Sequence, residues 1–211
     1  MPIGKSWSYA AALPDLIVGY TPHANYYNIA GPLARYLSLS HHVHGTGTRV
    51  PFPGTKAAWT AKWSGVSQDV LAKFLITLAL REEEVGGQVY NIASRASPTS
   101  WKEEWPALCN FFGLIGVEPS GEREGGGVRA FLEANRDEER KMKEEEGLRE
   151  WIVEGKNDGV AFMEGVFGYP VDRQMSVRKA WELWGEKREE MGRQEVWSGA
   201  FERFRRGGVI V

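Results

Sequence analysis

Residues 12–31, ALPDLIVGYTPHANYYNIAG, constrain the fold more than any other stretch. Two short apolar runs broken by Pro14 read as a buried strand. A polar and aromatic loop follows, and then the start of a helix. In an open α/β sheet, the loop at the carboxyl end of a strand is where a ligand usually sits. Here that loop lies near the start of 211 residues, and no glycine-rich phosphate-binding turn comes before it. The expectation is an α/β fold, rich in helix, with strands near 7–18, 48–52 and 88–93. They would form a small sheet, not a full doubly wound arrangement.

Helical spacing is plain elsewhere. Ile29, Leu33, Tyr36 and Leu37 recur on one face, with Pro32 near the helix start, where proline is tolerated. Ser67 is placed to cap SQDVLAKFLITLALREEE, whose Val70, Leu71, Phe74, Leu75 and Leu78 form an apolar stripe. Ser100 with Glu103 has capping-box spacing and opens SWKEEWPALCNFFG, whose Pro106 is expected to make the first turns irregular. Composition shifts at 116–127, GVEPSGEREGGG, which divides the chain into an α/β pocket segment at 1–115, a linker, and a helical lobe at 128–211 packed on the first, the alternative being one compact domain. Two further amphipathic helices close the chain, SVRKAWELWGEKREEMG and EVWSGAFERFRRGG. The charged stretch VRAFLEANRDEERKMKEEEGLREWIV reads as a solvated helix, the alternative being a partner-binding surface. GVAFMEGVFGYPVD, with three glycines, reads as a loop or strand packing inward.

The net charge of −2 gives no electrostatic reason to expect nucleic acid or an anionic membrane as partner. A single cysteine, Cys109, excludes an internal disulfide and fits a reducing, cytoplasmic setting; inside an amphipathic helix it reads as an apolar filler rather than a nucleophile. No apolar run approaches a membrane span, and the first residues lack the order of a signal peptide. Nine tryptophans, nine phenylalanines and seven tyrosines build cores, but also pockets for bulky apolar ligands.

Candidate site residues follow from this. There is no Walker sequence, paired CxxC, HExxH or GxSxG. EGGGV at 124–128 has glycines without a preceding apolar strand, so no cofactor is expected. His41, His42 and His44 end a helix, where the macrodipole favours them without any metal, and none is expected. His23 stands in a loop beside Tyr20, Tyr26 and Tyr27, either as ordinary loop packing or as a donor to a ligand carbonyl. Lys56, Trp59 and Trp63 fall within eight residues. If this stretch is helical, the two tryptophans share a face, as core or as pocket lining. Lys56 is a surface charge or an electrophilic donor.

Taken in order, these segments resemble the C-terminal part of the progesterone 5β-reductase and iridoid synthase-like family of extended short-chain dehydrogenases. The resemblance rests on WSYAAALPDLIVGYTP, RVPFPGTKAAW, VYNIAS, SWKEEWPALCNFFGL and AFERFRRGGVIV. It implies a NADPH-carrying Rossmann domain and a smaller domain closing over an enone, steroid or terpenoid-like substrate. The family's nucleotide-binding glycines and its catalytic lysine and tyrosine belong before Trp7 and have no counterpart in these residues. What carries over is the substrate side: the loop at 20–27, the segment at 56–63, and FMEGVFGYP at 162–170.

The expected function is cofactor-independent cyclisation or isomerisation, of Diels–Alder or related pericyclic type, of a bulky terpenoid- or polyketide-like intermediate. An apolar pocket would hold a flexible substrate in near-attack geometry. His23, Tyr20 or Lys56 would polarise a carbonyl, against walls of Tyr26, Tyr27, Trp59, Trp63, Phe162, Phe167 and Tyr169. The alternatives are an enone reductase remnant that needs a Rossmann partner, and a non-catalytic carrier of an apolar ligand. A raw strand edge needs covering, either by the chain's own termini or by a second copy, the latter giving a homodimer.

Overall fold

A computed structural model describes residues 7–121, 127–151 and 158–211. The chain runs through β1 (Ala10–Leu13), β2 (Leu16–Val18), α1 (Ala30–His44), β3 (Arg49–Pro51), α2 (Lys56–Thr60), β4 (Gly65–Ser67), α3 (Gln68–Leu80), α4 (Glu82–Val85), β5 (Gln88–Asn91), α5 (Trp101–Phe111) and β6 (Ile115–Val117). It continues through α6 (Gly127–Ala134), α7 (Arg136–Glu146), α8 (Val160–Gly168), α9 (Arg178–Trp184) and α10 (Arg193–Arg206). The fold is α/β and dominated by helix, as the sequence implies.

The strands form three parallel pairs. β1 lies on β5 from Ala10↔Gln88 to Leu13↔Asn91. β2 lies on β4 from Leu16↔Gly65 to Val18↔Ser67, and β3 on β6 from Arg49↔Ile115 to Pro51↔Val117. Parallel strands need long crossovers, and the intervening helices supply them. β1 and β2 each have one strand neighbour; the other edge of each carries no strand among the described residues.

Caps fix the helix starts. The Ser67 hydroxyl accepts from the Val70 N–H, and Ser100 and Glu103 complete a capping box. The α5 helix runs through Pro106 without breaking. α1 is the central helix, buried from Ala30 to Ser40 except at Arg35. Around it one hydrophobic cluster takes Phe52, Trp59 and Trp105 from the first half of the chain and Phe167, Trp197 and Phe201 from the second. A smaller cluster joins Val70, Phe74 and Leu78 of α3 to Tyr90, Ile92 and Trp184.

Several local expectations change. The 160–168 segment is a helix, because Val160, Met163 and Phe167 bury one side at i, i+3, i+7 spacing despite its glycines. The 56–63 segment is helical only to Thr60, and Ala61 is already non-helical, so Trp59 and Trp63 do not share a helix face. The charged stretch is two helices, with Asn135 between them. Residues 116 and 117, at the start of the proposed linker, belong to β6, while 122–126 lie outside the described residues.

Candidate functional site

The loop from 19 to 29 leaves β2 and enters α1, and one buried side chain ties its neck. Asn28 Nδ2 donates to the Gly19 carbonyl at 3.0 Å and to Thr21 Oγ1 at 3.3 Å, while its Oδ1 accepts from the Gly31 N–H at 2.7 Å. Asn25 Oδ1 accepts from the Tyr27 N–H at 3.1 Å, a local Asx turn. The second half of the chain clamps this loop. Trp151 Nε1 donates to the Thr21 carbonyl at 2.9 Å, and Arg149 Nη2 donates to the Pro22 carbonyl and to the Tyr20 hydroxyl, both at 3.1 Å. Arg149 Nε also donates to the Gly207 carbonyl at 2.5 Å. Arg149 and Trp151 stand in a stretch the sequence presents only as dense charge, and a lone arginine carries no signal that it will bind backbone carbonyls.

Against this frame Tyr26 and Tyr27 form an aromatic trio with Phe162 of α8. Their ring centroids are 5.0 Å apart, and lie 6.1 and 5.6 Å from Phe162. Gly159, the cap of α8, has φ +77°, and a Cβ there would fall 2.6 Å from the Asn28 carbonyl oxygen; glycine permits the close approach. Tyr27 is 74 % exposed, so the trio is an open apolar shelf rather than an enclosed wall.

The structure thus brings together Tyr26, Tyr27 and Phe162, with His23 exposed in the same loop. Tyr20 is part-buried, its ring edge-on to Phe204 at 4.9 Å. Lys56 is exposed at the first position of α2. Trp59, Trp63 and Phe167 are core residues: Phe52 meets Trp59 at 5.3 Å and Phe167 at 5.0 Å, and Trp63 meets Trp101 at 5.0 Å. Tyr169 is exposed, with the Arg173 guanidinium 5.3 Å from its ring. Among the described residues no group of three or more His, Cys, Asp or Glu side chains is arranged to hold a metal ion. No helix there is long and apolar enough to cross a membrane.

A dinucleotide pyrophosphate sits where a strand passes through a glycine turn to free N–H groups at a helix start. The described strand-to-helix passages differ in kind. A first-turn N–H is taken by Asn28 at α1, by Thr55 at α2 and by Ser67 at α3, and Ser100 and Glu103 close the start of α5. Beside Gly19, Gln68 fills the space, 2.2 Å from where a Cβ would stand. These residues do not by themselves fit a dinucleotide.

The chain is similar to the short chain dehydrogenase sirS of Leptosphaeria maculans, at 42% identity over 127 residues, 59% of this chain and 31% of that one. It is also similar to the (S)-8-oxocitronellyl enol synthase CYC2 of Camptotheca acuminata, at 31% identity over 111 residues, 53% of this chain and 26% of that one. It spans about a third of the length of the curated relatives it matches. Among solved structures, a Burkholderia cenocepacia protein described as an epimerase superposes with a TM-score of 0.50 at 12% identity, covering 93% of this chain and 46% of that one, which speaks for the fold alone. The protein-family description that matches residues 1–211 is the PRISE-like Rossmann-fold domain, and this chain, akin to the short-chain dehydrogenases, belongs to that family.

Proposed function

We propose that this chain is the substrate-side portion of a short-chain dehydrogenase of natural-product biosynthesis, acting on a bulky apolar carbonyl compound. In this reading the nucleotide-binding part is a companion, on the same polypeptide or a separate one, seated along the free edge of β1 and β2. One observation carries the reading. That edge has no strand neighbour among the described residues; Leu13 and Ile17 on its strands are exposed, and Tyr9 lines an open hollow with Leu75 of α3, whose Ile76 and Leu80 are exposed too. Unpaired edges and contiguous apolar patches are what soluble proteins cover. The capped helix starts support the same division of labour, since they leave the cofactor to the companion. The name of the CYC2 relative supports an oxo-bearing, terpenoid-like substrate.

The test is reconstitution. The chain is co-expressed with the amino-terminal part of the sirS relative, and NADPH oxidation is followed with 2-cyclohexenone as probe. A stable complex that oxidises NADPH, with neither piece active alone, is the expected result. A chain that remains monomeric beside the companion overturns the reading.

A second reading, cofactor-independent cyclisation, draws support from the Tyr26–Tyr27–Phe162 shelf with His23 beside it. It requires the chain alone to accelerate ring closure of an oxo-terpenoid, and His23→Ala to remove that rate without weakening ligand binding.

A further inference from the structure

Arg173 is fixed more firmly than a loop arginine needs to be. Its backbone N–H donates to the Lys62 carbonyl at 2.7 Å, and residue 173 bridges to Trp63. Its Nε donates to Asp15 Oδ1 at 2.8 Å, while Asp15 Oδ2 accepts from the Ser64 N–H at 3.2 Å. The Tyr169 ring supports the guanidinium, with Cζ 5.3 Å from the ring centre. Backbone, carboxylate and ring together hold the planar head in place.

A guanidinium has five N–H donors, and here only Nε is used. The two Nη groups have no partner among the described residues. Unlike Arg95 Nε they are not buried, and the side chain is 23 % exposed. A pinned guanidinium with its fork free is built to donate to an oxygen. The charges around it decide which oxygen. Asp15 already balances Arg173, and the Asp172 carboxylate stands one residue away, accepting from the Lys62 N–H at 2.7 Å and from Gln174 Nε2 at 3.2 Å. The Lys62 ammonium is committed to Glu103 at 3.0 Å. Two carboxylates against one guanidinium disfavour an anion, so the acceptor is a neutral carbonyl. Each Nη is one bond from Cζ, and both therefore stand within about 7 Å of the Tyr169 ring centre. A carbonyl conjugated to a ring or double bond spans that gap, with its oxygen on the fork and its flat body against the exposed tyrosine.

We propose that the Arg173 fork, with the Tyr169 ring, anchors the conjugated carbonyl of the substrate. The inference rests on the reading of this chain as a substrate-side portion, and it names the donor which that reading leaves open. Asp15 lies between β1 and β2, so the anchor borders the strands against which the companion would seat.

The ¹⁵N-labelled chain, without a companion, is titrated separately with acetophenone, toluene and benzoate, and its amide and arginine Nε–H signals are followed. Saturable shifts at Val171, at Arg173 and at the Arg173 Nε–H are expected with acetophenone. Toluene, the ring without the oxygen, should bind about tenfold more weakly, the factor one hydrogen bond to a charged donor supplies, and benzoate no better than toluene. Arg173→Met should erase the preference for acetophenone. Tyr169→Ala removes only an exposed ring, so it keeps the folded spectrum and should weaken acetophenone and toluene alike. Equal affinity for acetophenone and toluene, tighter binding of benzoate, or no saturable shift would each overturn the proposal. So would an undiminished preference in folded Arg173→Met, or unchanged affinities in Tyr169→Ala. Failure of these titrations leaves capture of the companion and its NADPH oxidation standing, and failure of that capture leaves the titrations standing.

Discussion

Arg35 and Glu139 meet in a two-pronged pair, Nε to Oε1 at 2.6 Å and Nη2 to Oε2 at 2.7 Å, that ties α1 to α7. Glu139 is buried, in the very stretch whose charge density reads as a solvated surface. Lys143 adds a second cation at 3.3 Å, and Asp158, just before α8, stands 3.8 Å from Arg35. A buried pair is weak evidence of net stability, but removing one partner strands the other. Glu139→Ala is therefore expected to cost about 3 kcal/mol, the lower end for a broken buried pair, because Arg35 keeps Asp158. Urea unfolding followed by circular dichroism measures it; a loss under about 0.5 kcal/mol, ordinary for surface positions, would place the pair among solvated contacts.

The same pair sets a pH dependence. Burial opposes the Glu139 charge, but the Arg35 and Lys143 contacts outweigh it and hold the carboxyl below its ordinary value of 4.5. At Glu103, too, burial works upward and is outweighed by Lys62 and Arg193. A carboxyl lowered in the folded state contributes stability above its unfolded value, and that stability is lost as pH falls through the folded value. The thermal midpoint should hold near neutrality and fall below about pH 4.5. Glu139→Gln should flatten that acid limb, and identical limbs in the two proteins would sink the assignment.

Gly31 lies on the buried side of α1, where a Cβ would fall 2.1 Å from Trp151 Cη2. The ring cannot retreat freely, because Trp151 Nε1 is bonded to the Thr21 carbonyl. Gly31→Ala should cost about 1–3 kcal/mol by overpacking, despite alanine's better helix propensity. Displacing Trp151 also frees the 19–29 loop, so limited proteolysis should cut there sooner than in the parent. Unchanged stability and unchanged cleavage would mean that the ring is not held.

Much of this architecture was legible because single residues announce it. Ser67, Ser100 and Glu103 mark helix starts by capping chemistry, and the stripes on α1 and α10 by their period; on α3 the period holds for Val70, Phe74 and Leu78, whereas Leu75, read as part of that stripe, is 46 % exposed. The strands β4 and β6 were not legible. Each has three residues and depends on a partner far along the chain, β2 and β3 respectively, rather than on its own pattern. At 160–168 the glycines outweighed a helical period that was present. In the 19–29 loop the aromatic residues were visible, but Asn28, Arg149 and Trp151, which position it, were not, since side chain-to-carbonyl bonds follow no spacing rule.

Cys109 is fully buried in α5, and burial pushes its thiol well above the ordinary cysteine range. Only the thiolate reacts readily, so the folded protein should resist disulfide reagents. Ellman's reagent is expected to react at the rate of unfolding and to accelerate with urea. Rapid stoichiometric reaction in native buffer would show an open path to the sulfur.

Leu13 and Ile17 stand at the end of β1 and within β2, exposed and outside both buried clusters, on the strands whose free edge the proposed companion would occupy. A charge placed there removes nothing from the core, so Leu13→Lys with Ile17→Glu should change stability by no more than about 0.5 kcal/mol per site. On an edge, charge is also how soluble sheets prevent unwanted strand addition. The double variant should stay monomeric at concentrations where the parent associates, and should lose the companion and its NADPH oxidation together. Sedimentation of the chain alone separates the two occupants. Parent dimers that dissolve in the variant would identify a second copy on the edge, whereas a monomeric parent that still captures the companion would leave the edge to the nucleotide-binding part. Undiminished capture by the double variant would move the docking surface off these strands altogether.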